Sequence, residues 1–353
     1  MEKVACPDFP VGPSIHSERP ALASLYAVAG RSICVECGDE RAAELFRRYF
    51  AGWHVAPLED AEGVPSDATI SVSAARVPPR APEGFDSFEI AGGGVCRTDG
   101  RTYLFESGDS TVRVRGDSQT RVEVWVGSSP RARERAALAR LVFNASMTAM
   151  RRCGLFELHG AGLVAPGGAG FLIVGPSGSG KSTLATQLAY AGWRYLSDDS
   201  LLLYRRGEAV EARALRRAFA VTDATVAAGP LCEFKDLLTE ALPFDPQKRR
   251  FEPQSVFPGG FVEACDPRAI FFPVVTCERA SRTRTLSQAE TMARLIRMCP
   301  WACYDRPAAK AHLDVLARLA RKALGFELFS GRDLLDDAEY AGRFLFARAG
   351  GFQ

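Results

Sequence analysis

The chain has 353 residues, of which 47% are hydrophobic and 24% charged, a composition typical of a globular protein with one large domain or two. Its 44 basic and 42 acidic residues leave a formal net charge of +2, so no basic excess indicates a nucleic-acid partner. The N-terminal stretch MEKVACPDFPVGPS lacks an apolar core of signal-peptide length, and no run of about 18 apolar residues predicts a membrane span. We therefore expect a cytoplasmic protein with no membrane partner.

The cysteines do not form a recognisable metal-binding pattern. Cys34 and Cys37 make a lone C-x-x-C pair, and Cys299 and Cys303 lie four residues apart. Neither pair has a second pair or a histidine at the spacing of a zinc site. We expect buried or unreactive thiols, because cysteine often acts as a small hydrophobic residue.

Residues 1–130 predict a small mixed α/β domain. A short strand is expected at 32–37, followed by a helix that Asp39 caps and Gly52 stops. The apolar residues of that helix recur at helical spacing: Ala42, Leu45, Phe46, Tyr49 and Phe50. From residue 68 to 126 the pattern becomes β, with strands predicted at 103–106, 111–115 and 122–126 and tight turns at Gly108-Asp109 and Gly116-Asp117. We find no catalytic cluster in this part.

A second domain is predicted over residues 131–353. It opens with a helix that follows Ser129-Pro130 and continues to about Arg152. The next predicted elements are a strand at 155–163, a glycine-rich turn at 166–170, a strand at 171–174, a helix at 182–191 and a strand at 195–204. Later come a buried strand at 269–275, a capping box at 287–290 opening a helix to about 298, and a helix from about 307 to 324 stopped by Gly325. This alternation favours an α/β domain.

One segment of this second part matches the phosphate-binding pattern G-x-x-x-x-G-K-[ST]. It reads Gly175-Pro176-Ser177-Gly178-Ser179-Gly180-Lys181-Ser182, and Thr183 follows. Glycines let backbone N–H groups curl around phosphate oxygens, the lysine adds positive charge, and the serine hydroxyl can complete a Mg²⁺ shell. The apolar strand before it and the helix after it suit the motif, so we expect MgATP or another phosphate donor here. The signatures of transporter ATPases and GTPases are not found.

A pair of aspartates, Asp198 and Asp199, begins 17 residues after Lys181, in the polar middle of the predicted strand 195–204. If this strand runs beside the one before the glycine loop, the carboxylates come near the phosphates. Neighbouring strand residues point to opposite faces, so one carboxylate can bind Mg²⁺ and the other can accept the proton of an attacking hydroxyl. A solvated turn is the alternative interpretation.

His159 lies in Leu158-His159-Gly160-Ala161-Gly162-Leu163-Val164, just before the strand of the glycine loop. Alone it would be an ordinary core or surface histidine. Followed by the glycine loop and the aspartate pair, it resembles the catalytic domain of the HPr serine kinase/phosphorylase family and the wider set of HPr-kinase-related proteins. The resemblance is specific over about residues 155–205 and weaker to about 280. It implies a P-loop α/β domain similar to that of ATP-dependent phosphoenolpyruvate carboxykinase.

The resemblance also implies residue roles. The catalytic histidine of the family falls on His159, its phosphate-binding lysine on Lys181 and its Mg²⁺-binding hydroxyl on Ser182. Its aspartate pair falls on Asp198 and Asp199, of which we take Asp198 as the catalytic base and Asp199 as a metal ligand. Two features differ from the HPr kinases: they carry Glu where this chain has Thr183, and their later E-[ILV]-R-G-x-G signature is not found.

We therefore expect a kinase that uses ATP and Mg²⁺ to phosphorylate a hydroxyl, that of a serine or threonine in a peptide or protein. The family likeness also hints at a homo-oligomer. Two alternatives stay open: a nucleotide-binding regulatory or scaffold module without phosphoryl transfer, and a small-molecule kinase. A cation that stabilises the transferring phosphoryl group could come from one of five residues: Arg216, Arg217, Lys248, Arg249 and Arg250.

Overall fold

The computed structural model describes residues 22–38, 40–59, 65–74, 80–89, 94–107, 110–115, 120–127, 135–227, 232, 235–239, 241–242 and 245–349. Two large sheets of mixed strand direction, with helices packed against them, make this a mixed α/β protein. In the described part of the chain, no helix combines the length and the apolar character needed to cross a membrane.

The first sheet is built from residues 22–126. Its elements are β1 (Leu22–Val28), β2 (Arg31–Cys37), α1 (Glu40–Ala51), β3 (Ala56–Pro57), β4 (Ala68–Ala74), β5 (Asp86–Glu89), β6 (Val95–Thr98), β7 (Tyr103–Ser107), β8 (Ser110–Arg115) and β9 (Thr120–Val126). The spatial order is β3-β1-β2-β4-β9-β8-β7-β6-β5. Strands β2, β4 and β9 run parallel, and the other neighbours are antiparallel.

The sequence predicted five of these ten described elements: β2, α1, β7, β8 and β9. Helix α1 ends one residue before Gly52, and Phe46 and Phe50 on its apolar face are buried. The three strands predicted between 103 and 126 are confirmed as β7, β8 and β9. Asp39 and the turns Gly108-Asp109 and Gly116-Asp117 lie outside the described residues.

Helix α2 (Arg135–Arg152) connects the two halves of the chain. Its apolar residues Leu141, Val142 and Ala145 are buried in the core of the first sheet. The start predicted at Ser129-Pro130 lies outside the described residues, and the division into domains 1–130 and 131–353 stays a prediction.

The second sheet contains the glycine loop. The elements of this half are β10 (Phe156–Val164), β11 (Gly170–Val174), α3 (Lys181–Tyr190), β12 (Arg194–Ser197), β13 (Ser200–Arg206), β14 (Ala209–Ala214), β15 (Phe219–Thr222), α4 (Asp223–Ala227), β16 (Ala241–Leu242), β17 (Asp245–Phe251), α5 (Pro253–Val256), β18 (Ala264–Cys265), β19 (Pro267–Val275), β20 (Arg282–Leu286), α6 (Gln288–Met298), α7 (Trp301–Tyr304), α8 (Arg306–Lys322), β21 (Leu324–Ser330), α9 (Asp333–Asp336) and α10 (Ala338–Arg348). The order is β18-β14-β13-β10-β11-β19-β21-β20, with β12 also paired to β10.

Strands β11, β19 and β21 are parallel, so their carboxyl ends lie at one edge of the second sheet, where the glycine loop begins. Helices α3 and α10 pack on one face of this sheet, and α6 and α8 pack on the other. A separate small sheet of order β15-β17-β16 lies beside α3. The ends of parallel strands are where open α/β sheets usually bind ligands.

The predicted strand 195–204 needs a correction. The chain bends at Asp198 and Asp199, so two strands, β12 and β13, replace one. Both pair with β10, and β10 lies between them and β11, so the aspartates are not on a neighbour of the loop strand. The bend turns the Asp198 carboxylate into the protein, where its Oδ2 accepts a hydrogen bond from the N–H of Ala220 at 2.9 Å.

The helix predicted from 307 to 324 also needs a correction. Helix α8 ends at Lys322, and Gly325 lies inside β21 instead of stopping the helix. A methyl group on Gly325 would come 2.1 Å from Oγ1 of Thr291 on α6. The glycine is therefore required by the close approach of α6 to β21, a contact that the local sequence does not show.

Candidate active site

The glycine loop connects β11 to the N-terminus of α3. Gly178 and Gly180 have φ angles of 80° and 90°, a left-handed conformation that favours glycine. The Lys181 side chain is buried, and its Nζ donates to the carbonyl of Pro176 at 2.8 Å. Burial lowers the pKa of Lys181 to about 8, a shift that Asp199 opposes. The loop thus combines two left-handed glycines with a buried lysine at the start of α3.

A cavity of ≈ 480 Å³ lies against this loop, at the carboxyl ends of β19 and β21. Five of the nine predicted nucleotide-binding residues line it: Gly178, Gly180, Lys181, Ser182 and Thr183. The other four, Gly175, Pro176, Ser177 and Ser179, belong to the loop but not to the lining. The Thr183 hydroxyl lies 2.8 Å from the hydroxyl of Thr225 on α4, so it ties the loop helix to the far wall of the cavity.

The two aspartates lie in different environments. Asp199 lines the cavity, with 15% of its side chain exposed, whereas Asp198 is fully buried beneath it. Within the described part of the chain, Oδ1 of Asp198 has no hydrogen-bond partner. The Ser182 hydroxyl is close enough to the Asp198 carboxyl to lower its pKa. The sequence-predicted residues Lys181, Ser182 and the aspartates are therefore brought together.

The electrostatics separate the two carboxyl groups further. Burial raises the pKa of Asp198, and the neighbouring Asp199 charge adds to this shift. Burial acts in the same direction on Asp199, but the nearby positive charges, of which Arg216 is the strongest, together outweigh it and hold the pKa of Asp199 below its usual value. Arg216 Nη1 lies 2.7 Å from Asp199 Oδ2. Asp199 is thus the carboxylate that stays ionised.

His159 lies on β10, and its Nδ1 is 3.4 Å from Oδ1 of Asp199. Burial lowers the pKa of His159, and Lys181 and Arg216 act in the same direction, whereas Asp199 raises it. Because an unperturbed histidine titrates near pH 6.5, His159 is neutral at pH 7. A neutral imidazole beside an ionised carboxylate can hold that carboxylate in place or exchange a proton with it.

The five candidate cations separate in the structure. Arg216 contacts Asp199, and Lys248 lines the cavity. Arg217 turns away and donates from Nε to the carbonyl of Trp53 at 2.6 Å, and Arg249 lies 3.1 Å from Asp223. Arg250 does not line the cavity. Of the five, Lys248 is therefore the one that lines the cavity, and Arg216 acts on Asp199.

The sequence interpretation missed two residues of this region. Glu157 lies on the same face of β10 as His159, and burial raises its pKa to about 7. The alternation of Glu157 and His159 along one strand is a signal that could have found it. Arg332 lines the cavity from the start of α9. It follows β21, a strand that the sequence did not predict, so no local pattern marked it.

Comparisons with known proteins give little beyond this geometry. No family model matches the chain, and no match was found among curated proteins. A solved structure described as "Structure of the Hpr(Ser) kinase/phosphatase from Coxiella burnetii" is similar to 54% of this chain and 98% of its own, with 13% sequence identity and a TM-score of 0.27. A similarity of this size carries no argument about the function of this chain.

Proposed function

We propose that this protein is an ATP-dependent kinase that phosphorylates the hydroxyl of a serine or threonine in a peptide or protein. The observation that carries the proposal is the split aspartate pair. Asp199 is ionised and lines the cavity, as does the lysine of the glycine loop. Asp198 is fully buried, next to the Ser182 hydroxyl. The resemblance to HPr-kinase-related proteins supports the same chemistry and suggests the class of acceptor.

The phosphate side of the proposed reaction belongs to the glycine loop. Backbone N–H groups of the loop and of the first turn of α3 would bind the β- and γ-phosphates of ATP, with Lys181 adding its charge. The acceptor oxygen forms a bond to the γ-phosphorus as the bond to the β,γ-bridging oxygen breaks, and ADP leaves with that electron pair. Lys181 and Lys248, which both line the cavity, would stabilise the charge on the departing phosphate.

The residues present fit a Mg²⁺ ion. Oδ1 of Asp198 is buried without a hydrogen-bond partner among the described residues, and it belongs to a carboxylate beside the Ser182 hydroxyl. Oxygen donors of this kind are what Mg²⁺ prefers. Asp198 and Ser182 would hold the ion, which when bound supplies positive charge to the phosphate oxygens.

The base role is proposed for Asp199, which exchanges the two roles that the sequence suggested. A general base must reach the hydroxyl that it deprotonates, and Asp199 lines the cavity whereas Asp198 has no exposed surface. The low pKa of Asp199 does not prevent this role, because the acceptor proton becomes acidic only as the bond to phosphorus forms. His159, 3.4 Å from Asp199, would orient the carboxylate and relay its proton.

The experiment combines labelled ATP with a library of serine- and threonine-containing peptides and with cell lysate, and measures both binding and label transfer. We expect wild-type protein to label an acceptor. Asp199→Asn should lose about 10²- to 10⁴-fold in transfer while a fluorescent ATP analogue still binds, because only the proton acceptor is removed. Asp198→Asn should instead require more Mg²⁺ for the same rate.

Three outcomes would contradict this proposal. Binding of the analogue without transfer to any acceptor would indicate a nucleotide-binding module. Label found only in the metabolite fraction would indicate a small-molecule kinase. If Asp199→Asn transferred at the wild-type rate, with Asp198→Asn inactive at every Mg²⁺ concentration, the base role would return to Asp198.

A further inference from the structure

The segment 52–54, which follows α1 in the first half of the chain, contacts the backbone on either side of Arg216. Trp53 pairs with Arg216 in an isolated antiparallel bridge. The N–H of His54 donates to the carbonyl of Leu215 at 2.7 Å, and the N–H of Arg217 donates to the carbonyl of Gly52 at 3.0 Å. The segment 215–217 is thus held as a short added strand by residues that are distant in the sequence.

Side-chain contacts stabilise the pairing of segments 52–54 and 215–217 on both sides. Trp53 is 4% exposed in the core of the first sheet, where its ring meets Phe143 of α2 edge-on at 6.2 Å. The His54 ring stacks on Phe261 of the second half at 4.4 Å, and Arg217 donates from Nε to the carbonyl of Trp53 at 2.6 Å. These contacts join the first sheet to the segment 215–217.

The other side of the segment 215–217 faces the aspartate pair. The N–H of Leu215 donates to the carbonyl of Ser200 at 3.2 Å, next to the bend that carries Asp199. With both neighbours fixed, the Arg216 side chain reaches Asp199 at 2.7 Å. Tyr49, on the last turn of α1, lies close enough to this group for the Arg216 charge to lower the pKa of its hydroxyl and for the Glu157 charge to raise it.

We propose that segment 52–54 is a positioning element of the active site, which sets Arg216 against Asp199, and that Arg217 and His54 are its positioning residues. The first half of the chain then acts on the reaction without contacting either substrate. This inference deepens the proposed function and rests on it, since that proposal gives Asp199 the role of base. The inference gives the first half of the chain a role in catalysis that no motif in residues 1–130 predicts.

The test follows the imidazole of His159 by NMR in the full-length protein without nucleotide, and the chain has only four histidines. The charged groups that face His159 are Asp199, Lys181, Arg216 and Lys248. If Arg216 leaves Asp199, a group that lowers the pKa of His159 is lost and the pKa rises. His54→Ala removes no charge near pH 7, since burial lowers the pKa of His54 to about 4. Arg217→Lys keeps its charge but loses the contact with Trp53.

We expect both variants to raise the pKa of His159 by about half a unit, with Arg216→Ala shifting it in the same direction and further. Arg268→Ala is the matched control, because it removes an exposed arginine that pairs only locally with Asp266. If His159 titrates in His54→Ala and Arg217→Lys as it does in the control, the inference is wrong. Should His54→Ala fail to fold by circular dichroism, Arg217→Lys decides alone.

Binding of the fluorescent ATP analogue is measured on the same samples. Unchanged affinity in His54→Ala and Arg217→Lys, together with the shifted histidine, supports an effect confined to Arg216 and Asp199. A wild-type protein that does not bind the analogue would overturn the proposed function. The histidine titration would still decide whether segment 52–54 positions Arg216.

Discussion

Two adjacent aspartates show how one backbone bend creates two chemical environments. Asp198 points into the protein and accepts from Ala220, so its charged form is disfavoured by burial. Asp199 lines the cavity, where Arg216 and the other nearby positive charges together compensate the same burial. A pair of titratable groups whose surroundings push their pKa values apart is the usual arrangement for dividing two tasks between two carboxylates.

Glu157 gives a prediction at the same scale. Its pKa of about 7 lies above the value of about 4.3 for an exposed glutamate, so the folded state binds more protons than the unfolded state between these pH values. The free energy of unfolding therefore falls as pH rises through this window, and stays at the lower value above it. We expect Glu157→Gln to match wild type at pH 5 and to be more stable at pH 8, by about 2–3 kcal/mol.

Urea unfolding of both proteins at pH 5 and pH 8 measures the difference. Glu327→Gln is the control, because the Glu327 carboxyl is ionised at both pH values. Burial would raise the pKa of Glu327, but its hydrogen bonds from Arg294 and Arg284 outweigh burial and lower it. This variant should lose nearly the same stability at pH 5 and at pH 8, because both values lie above the range in which a carboxyl of lowered pKa titrates. A Glu157→Gln variant with the same deficit at both pH values would show that the carboxyl is not held protonated.

At the scale of elements, local signals predicted what local interactions determine. The strand, glycine loop and helix around Lys181 appear within one or two residues of their predicted bounds, and the capping box at Ser287 and Glu290 is confirmed. The sequence could not show that β10 separates the aspartate strands from β11, because sheet order depends on contacts between distant segments. Gly325 was interpreted as a helix stop signal for the same reason. The residue whose approach requires a glycine there, Thr291, lies on α6, far from Gly325 in the sequence.

That contact gives the prediction for the element scale. Gly325→Ala places a methyl group 2.1 Å from Oγ1 of Thr291, so either β21 or α6 must shift. We expect a loss of about 1–3 kcal/mol in the free energy of unfolding, the usual range for overpacking. Thr291→Ala in the same chain should recover part of that loss, because it removes the atom that clashes.

Chemical denaturation of the two single variants and the double variant measures the coupling between the two positions. Gly38→Ala is the control, since its nearest neighbour, the carbonyl oxygen of Val72, would be 3.7 Å from the new methyl group. Strictly additive losses in the double variant would show that the two residues do not compete for the same space.

The site as a whole lies where two cores meet on one face of the second sheet. Along β10, Ala161 and Leu163 belong to the core under α3 and α10, and Leu155, just before the strand, belongs to the core of the first sheet. Glu157 and His159 are the polar residues of β10 that lie between these two cores. Motifs therefore predicted His159, Lys181 and the aspartates. Glu157, Arg332 and segment 52–54 depend on how the two halves pack, which no local pattern records.

A buried charge cluster at the C-terminal end of α2 joins the two halves of the chain. The prediction for the whole molecule is the effect of removing the carboxylate of this cluster. Asp305, between α7 and α8, is 1% exposed and lies 3.3 Å from Arg151 and 2.9 Å from Arg152. The Arg151 guanidinium also lies 4.7 Å from the ring centre of Trp301. Asp305→Ala leaves two buried cations without their carboxylate, and we expect a loss of about 3–5 kcal/mol in the free energy of unfolding.

Guanidinium unfolding followed by tryptophan fluorescence measures this loss, with Asp314→Ala as the control. Asp314 lies on α8 and pairs with Arg318 at 2.8 Å, but it is 41% exposed, so its removal should cost less than about 1 kcal/mol. Equal effects of the two variants would mean that solvent reaches Asp305 and its arginines. A large loss confined to Asp305 would show that this charge cluster stabilises the contact of α2 with α7 and α8.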